Sequence, residues 1–213
     1  MRVIKGNKVS EINKNDLENI LFKYQKVVID IGTGDGRFVY KKALENKDVF
    51  YIGIDPSQKQ LKTFSKKGVR KKLKNILFII GSIELLPPEL KNTADKIYII
   101  FPWGSLLKSV TKPNSKILTN IKSLLKNGGE IEIVFGYDET LEPIETERLD
   151  LPSFTRDYLE NILIPEFKRS GFELKYIKEI KAEEMKNLES TWAKKLSFTK
   201  DRSVYRLIFQ LQV

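Results

Sequence analysis

The sequence predicts an α/β protein built on an open, mostly parallel sheet with helices on both faces. Three observations lead there. Short apolar runs of strand length recur along the first two thirds of the chain, continuous rather than alternating, as in strands buried on both faces. Helical stretches lie between them, as in βαβ units. Two longer runs near the end, Leu174–Ile180 and Val204–Leu211, read as an antiparallel pair closing one sheet edge.

In order along the chain, Arg2–Lys5 and Lys8–Ile12 flank Gly6-Asn7, a tight-turn signal, and predict a small hairpin. Asn15 or Asp16 then caps a short helix that runs to Tyr24. Val27–Ile31 is the first buried strand; it ends in Gly32-Thr33-Gly34-Asp35-Gly36, and a helix of about ten residues follows. Val49–Ile54 is the next strand, followed by a helix over Ser57–Lys67. Ile76–Ile80 and Lys96–Phe101 are separated by a short turn near Pro88–Asn92. A helix over Asn114–Lys126, closed by Asn127-Gly128-Gly129, leads into Glu130–Phe135. Residues 137–157 and 181–203 fit no strand and stand as insertions between the late strands; connections that long usually carry function. One domain over 1–213 is expected, with no repeat and no linker.

Composition removes several chemistries. Histidine and cysteine are both absent, which excludes disulfides, Cys/His zinc sites, a cysteine nucleophile and every histidine general base. No metal is expected. No apolar stretch is long enough to cross a membrane, and the first residues lack a signal-peptide core, so a cytoplasmic protein without membrane attachment is expected. Lys and Arg number 38 against 28 Asp and Glu, a net charge of +10 that calls for a polyanionic partner.

The glycine loop is the strongest local signal. Glycines between a strand and a helix let backbone amides approach a ligand closely. The spacing is not that of a dinucleotide site, because Arg37 stands where the third glycine of G-x-G-x-x-G belongs. Nor does G-K-[ST] follow, so a P-loop is absent. Asp30, two residues before the first glycine, would repel a phosphate and attract a cation. A nucleoside ligand with cationic groups is S-adenosylmethionine: Asp30 would pair with its α-amino group, Asp55 at the end of the next strand would accept the ribose diol, and Glu84 would lie near the adenine. Gly32, Thr33, Gly34, Asp35, Arg37, Pro56 and Ser105 complete the expected cofactor-binding set. A plain glycine-rich turn with solvated acids is the competing reading, and Asp55 in register argues against it.

Phe101-Pro102-Trp103-Gly104 ends the fourth buried strand, on the same carboxyl edge as the glycine loop. A Pro-aromatic turn there can stack a planar substrate, with carbonyls at Phe101 and Pro102 holding an exocyclic amine. Trp192, the other tryptophan, lies in the second insertion; two indoles around one base suit an enzyme that extrudes its target nucleotide. Core packing is the competing reading for each. From Pro56 to Asn75 there are eight basic residues and no acid, and Lys194, Lys195, Lys200, Arg202 and Arg206 make a second cluster. Solvated helix faces explain most charge runs, but an unopposed run of this size fits phosphates. The acids from Asp138 to Glu147 are expected to face solvent.

These motifs carry a resemblance. Asp30–Arg37, Phe50–Pro56, Glu89–Asp95, Phe101–Gly104 and Trp192-Ala193-Lys194-Lys195-Leu196 resemble the aminoglycoside-resistance 16S rRNA adenine-N1 methyltransferases of the Npm/Kam type, and the Npm branch most. The similarity runs from the first residues to about Arg206. It implies a class I S-adenosylmethionine-dependent methyltransferase fold: a Rossmann-like seven-stranded sheet with an antiparallel last strand, preceded here by the hairpin. It also implies methylation of N1 of adenine 1408 in the decoding-site helix of the assembled 30S subunit, with S-adenosyl-L-homocysteine as product and aminoglycoside resistance as consequence. The family places its target base between two tryptophans, here Trp103 and Trp192; Ser190 matches a serine near the cleft. Its RNA contacts map onto Lys66, Lys67, Arg70, Lys71, Lys194, Lys195 and Arg202. Two departures touch RNA gripping: Lys195 replaces an arginine of some members, and Leu149, beside Arg148, stands where the family uses a basic residue.

Adenine N1 carries a free lone pair at neutral pH, so methyl transfer needs positioning rather than a general base. A monomer is expected. The alternatives are another methyltransferase of this fold, such as a tRNA guanine-N7 enzyme, a small-molecule enzyme or a protein-directed one, and a non-catalytic RNA-binding or ribosome-assembly protein. The basic run disfavours a small substrate, and the intact Asp30, glycine-loop and Asp55 set disfavours loss of catalysis.

Overall fold

In the computed structural model, residues 1–181, 184–185 and 203–212 are described. Nine strands form one sheet: β1 (Arg2–Lys5), β2 (Lys8–Glu11), β3 (Lys26–Ile31), β4 (Val49–Asp55), β5 (Ile76–Ile80), β6 (Ala94–Ile100), β7 (Leu125–Phe135), β8 (Phe172–Glu179) and β9 (Tyr205–Leu211). Their order is β2-β1-β5-β4-β3-β6-β7-β9-β8. The five central strands β5, β4, β3, β6 and β7 are parallel, and β9 is antiparallel to both its neighbours, β7 and β8. The seven expected strands are therefore present, with the last one reversed. The hairpin is not a separate appendage: Val3 and Ile4 pair antiparallel with Ile79 and Phe78, which brings the sheet to nine strands. Order reverses between β3 and β6, the switch point where an open α/β sheet forms a crevice at its strand carboxyl ends.

The helices are α1 (Lys14–Leu21), α2 (Arg37–Glu45), α3 (Gln58–Arg70), α4 (Ser105–Thr111), α5 (Ser115–Leu124), α6 (Pro143–Leu149), α7 (Arg156–Tyr158) and α8 (Ile164–Arg169). Their starts follow from side-chain caps. Asn13 accepts from the Asp16 amide in a capping box, Ser57 from Gln60, and Asn114 from Ile117. On one sheet face Ile29, Ile52, Ile97 and Ile131 pack with Leu17 of α1, Leu107 of α4, Leu118 of α5 and Phe167 of α8. On the other, Val28, Tyr51 and Phe78 pack with Val39 of α2 and Leu61 and Phe64 of α3.

Several stretches differ from the sequence expectation. α1 is capped by Asn13 rather than by Asn15 or Asp16 and ends at Leu21 rather than Tyr24, and α3 runs past Lys67 to Arg70. The helix before β7 ends at Leu124 rather than Lys126, because Leu125 already pairs with Ala94. Asn127-Gly128-Gly129 thus lies within β7, where the register shifts and Gly128 takes φ +73°. Helix α4 follows the Phe101–Gly104 turn directly and was not expected. Residues 137–157 hold α6, and α7 continues through a π-helical turn (Leu159–Leu163) into α8. Pro165 lies just past that turn; a proline has no amide for the helix ladder and crowds the carbonyl four residues back, and a widened turn relieves both.

Candidate active site

The crevice is built from the carboxyl ends of β3, β4, β5 and β6. After Ile31 the amides of Gly32 and Thr33 both donate to the Ile54 carbonyl, at 2.8 and 3.0 Å, which turns the chain off the sheet. Gly32, Gly34 and Gly36 then take φ of +78°, +59° and +81°. A Cβ at Gly32 would meet the Leu106 side chain, and one at Gly36 the Phe78 ring, so both backbone and space demand glycine. Gly53 in β4 allows the same close approach from below: a Cβ there would sit 2.8 Å from Thr33 Cγ2.

The two strand-end acids differ in their surroundings. Asp55 is braced: its carboxylate accepts from the Gly34 amide at 2.9 Å and the Ser57 amide at 2.8 Å. Burial pushes its carboxyl above the ordinary value, and those two amides work against the shift. Asp30 is only 3% exposed and has no amide brace. Burial pushes it up to about 7; the Thr33 hydroxyl opposes that, and the charge of Asp55 adds to it. At Glu84 burial also pulls upward, but the Ser82 and Ser105 hydroxyls and its own amide outweigh it and hold the carboxyl below the usual range. Asp35 accepts from the Arg37 amide at 3.0 Å and pairs with its guanidinium at 3.3 Å, which fixes the start of α2.

The aromatic turn stands beside the glycine loop, at the end of the neighbouring strand. β6 ends at Ile100, and Phe101 takes φ +48° while its amide donates to the Val134 carbonyl at 2.7 Å. A bulky residue in the left-handed region is strained, and such strain clusters at functional sites. Gly104 takes φ +57° and ψ −133°, open to glycine alone, although a Cβ there would touch nothing. The turn buries Phe101 and Pro102 and leaves Trp103 43% exposed at the rim.

These walls enclose a cavity of about 450 Å³. Asp30, Gly32, Thr33, Gly34, Asp35, Arg37, Asp55, Pro56, Glu84 and Ser105 all line it, and so do Phe101 and Trp103. Pro102 shapes the turn without lining the cavity. Gln60, Ser82, Ile83 and Leu106 line it too and escaped the sequence reading. Ser82 and Ile83 were findable, since they follow the carboxyl end of β5; Leu106 was not, because its place depends on α4. Ser190, Trp192, Lys194, Lys195 and Arg202 lie outside the described residues.

Lys66, Lys67, Arg70 and Lys71 are not at the cavity. The first turn of α3 borders the cavity at Gln60, and these residues lie roughly 9–16 Å further along its axis. All but the half-buried Lys66 are exposed, and the Lys67 ammonium sits 4.2 Å over the Phe64 ring. Leu149 is buried in the core, and the Arg148 guanidinium is held by Glu145 at 2.7 and 2.9 Å. Of the acids from Asp138 to Glu147, Glu139 and Glu147 face solvent as expected, whereas Asp138, Glu142 and Glu145 are half-buried. Among the described residues no cluster of three or more acids, histidines or cysteines stands ready to hold a metal, and no helix is long and apolar enough to cross a membrane.

A switch-point crevice with glycines on one strand end and an acid on the next defines a class I S-adenosylmethionine-dependent methyltransferase. The model of one family, described as NpmA, 16S rRNA (adenine(1408)-N(1))-methyltransferase, matches residues 2–210. The chain belongs to that family. A relative from Escherichia coli named 16S rRNA (adenine(1408)-N(1))-methyltransferase is 41% identical over 212 residues, covering 97% of each chain. Among solved structures, a 30S ribosomal A1408 methyltransferase from an uncultured bacterium is 42% identical with a TM-score of 0.79 and covers all of both chains. The aminoglycoside resistance methyltransferase NpmB1 is 37% identical with a TM-score of 0.86 and covers 99% of this chain and 98% of its own.

Proposed function

We propose that the protein transfers the methyl group of S-adenosylmethionine to N1 of adenine 1408 of 16S rRNA in the assembled 30S subunit. The product is S-adenosyl-L-homocysteine, and the methylated ribosome resists aminoglycosides. The observation that carries this reading is one continuous cavity running from Asp30 and Asp55 to the exposed indole of Trp103. Family membership supplies the substrate.

The cavity suits the cofactor on its own chemistry. A buried, unbraced carboxylate at Asp30 is stable as an anion only opposite a cation, and the α-ammonium is one. Asp55, held by two amides, presents acceptors for a diol, and Glu84 and Ser82 bound the base end. When bound, S-adenosylmethionine supplies an electrophilic methyl group on a sulfonium. The chain's own contribution is placement. Trp103 stacks the extruded adenine, with Trp192 as its second face, at roughly 1–3 kcal/mol per ring. Carbonyls at Phe101 and Pro102 hold the exocyclic amine, and Ser190 borders the cleft. The two indoles also favour positive charge developing on the base. No general base and no metal take part. Lys66, Lys67, Arg70, Lys71, Lys194, Lys195 and Arg202 grip rRNA phosphates, and the insertions 137–157 and 181–203 frame the substrate. The single domain works as a monomer in the cytoplasm, where its substrate is.

Primer extension across the decoding site of treated 30S subunits tests the reading. N1 methylation blocks Watson–Crick pairing, so reverse transcriptase should stop at adenine 1408 only when cofactor and protein are both present. A stop on tRNA instead would point to the guanine-N7 alternative; cofactor binding with no RNA product would point to a non-catalytic one. Trp103→Ala should lower methylation by at least a hundredfold and leave cofactor affinity within about threefold, since the ring sits at the rim. Wild-type turnover in that variant would refute the stacking role.

A further inference from the structure

The β1–β2 hairpin closes the outer edge of the sheet, yet its tip does not point away from the protein. Ser65 of α3, 2% exposed, accepts from the Gly6 amide at 2.7 Å and donates to the Ile4 carbonyl at 3.0 Å. A Cβ at Gly6 would lie 3.7 Å from Val69 Cγ2. The turn is thus fixed against the last two turns of α3, beside the residues next in sequence, Lys66 and Arg70. Lys5 and Lys8 flank that turn as direct cross-strand partners, and both are exposed. Neither meets an acid among the described residues, and α3 contains no acid. Like charges set opposite each other destabilise a strand pair. Here that pair belongs to a turn seated on the stretch of α3 that carries two further cations, Lys66 and Arg70. Such a concentration of exposed cations suits an extended polyanion.

We propose that the hairpin tip is a second arm of the rRNA-gripping surface, with Lys5 and Lys8 holding phosphates adjacent to those held by Lys66 and Arg70. The inference rests on the rRNA substrate proposed above and adds a contact from an element that has no part in the cavity. Because Ser65 fixes the tip in advance, little ordering entropy opposes the contact. Phosphate contacts of this kind set register and carry no sequence information.

The test measures binding of the full chain to purified bacterial 30S subunits across a salt series. Lys5→Gln with Lys8→Gln should weaken binding roughly ten- to thirtyfold near physiological salt and reduce the log–log salt slope by about two. Lys5→Arg with Lys8→Arg should bind like the wild type. Cofactor affinity, read by calorimetry, should not move in either variant; melting temperature should hold in the arginine variant and hold or rise slightly in the glutamine variant, where the cross-strand repulsion is relieved. Lys66→Glu serves as the reference for the α3 arm. If Lys66→Glu loses affinity while Lys5→Glu with Lys8→Glu keeps wild-type affinity and slope, the hairpin is a sheet edge cap only and the inference is wrong. If the wild type itself fails to bind 30S subunits, the rRNA reading falls and takes this one with it. Loss of binding to phosphatidylserine vesicles, with 30S binding intact, would reassign the surface to a membrane and overturn the proposal.

Discussion

Asp30 and Asp55 carry the same side chain at the ends of adjacent strands, and their neighbours give them different work. Two amides keep Asp55 ready as an acceptor, whereas Asp30 waits for a cation. Asp30 sits at about 7 in the folded chain against 3.8 when free, so between about pH 4 and pH 7 the folded chain holds a proton that the unfolded chain has lost. Its contribution to the stability of the cofactor-free protein therefore falls as pH rises through that window. Cofactor affinity runs the other way, strengthening as the carboxylate ionises and levelling off above about pH 7. Calorimetry at pH 6 and pH 8 should show up to about tenfold tighter cofactor binding at pH 8, with proton release at the lower pH. Asp30→Asn should bind weakly at both and should melt higher than the wild type at pH 8. A pH-independent wild-type affinity would remove Asp30 from the ammonium site. These acids were legible in the sequence because charge beside a glycine loop is a local chemical signal. The left-handed Phe101 was not: nothing in Phe-Pro-Trp-Gly states that a phenylalanine adopts φ +48°, which the chain tolerates because β7 holds its amide.

Legibility among the elements follows the same division between local and distant causes. The central strands could be read because β-branched runs of strand length have no helical competitor, as in Val27–Ile31 and Ile76–Ile80. The hairpin was found from Gly6-Asn7, but its pairing with β5 depends on residues more than seventy positions away. α4 was missed because Ser105–Thr111 is short and ends in β-branched residues; α7 and α8 were missed because Pro165 reads as a break, whereas a π turn carries the helix past it. The glycine loop is where an element's geometry can be tested most directly. In Gly36→Ala a left-handed alanine costs about 1–2 kcal/mol, and its Cβ runs into the Phe78 ring. Together these should destabilise by about 2–4 kcal/mol and lower the melting temperature by roughly 5–15 °C. An unchanged melting curve would mean that the loop relaxes around the methyl group and that its conformation is not fixed by packing.

At the scale of the whole molecule the net charge of +10 is distributed unevenly, with the far half of α3 and the hairpin tip basic and the stretch around α6 acidic. Long-range attraction should therefore orient the protein as it approaches RNA. Binding to 30S subunits should weaken by at least a hundredfold between about 50 and 200 mM salt if some four or more phosphates are engaged. Lys66→Gln with Arg70→Gln should reduce the slope by about two and leave the methylated position unchanged. A flat salt dependence would mean that shape rather than charge dominates recognition. The overall polarity of the surface was available from composition, but its division between two regions was not, because it depends on Ser65 bringing chain-terminal lysines to a mid-chain helix.

Among the described residues the nine-strand order leaves two unpaired rims, β2 and β8. β2 is four residues long, fully exposed and carries Lys8 and Glu11; β8 carries Lys175 and Lys178, each paired to a nearby glutamate. Short or charge-studded rims make poor templates for another strand. The β1–β2 hairpin thereby also acts against self-association: it covers the apolar β5, which would otherwise be an exposed flank of Ile, Leu and Phe, and replaces it with a polar ribbon. A protein whose own basic surface tends to recruit polyanions gains colloidal tolerance from a hairpin that lines no part of its cavity.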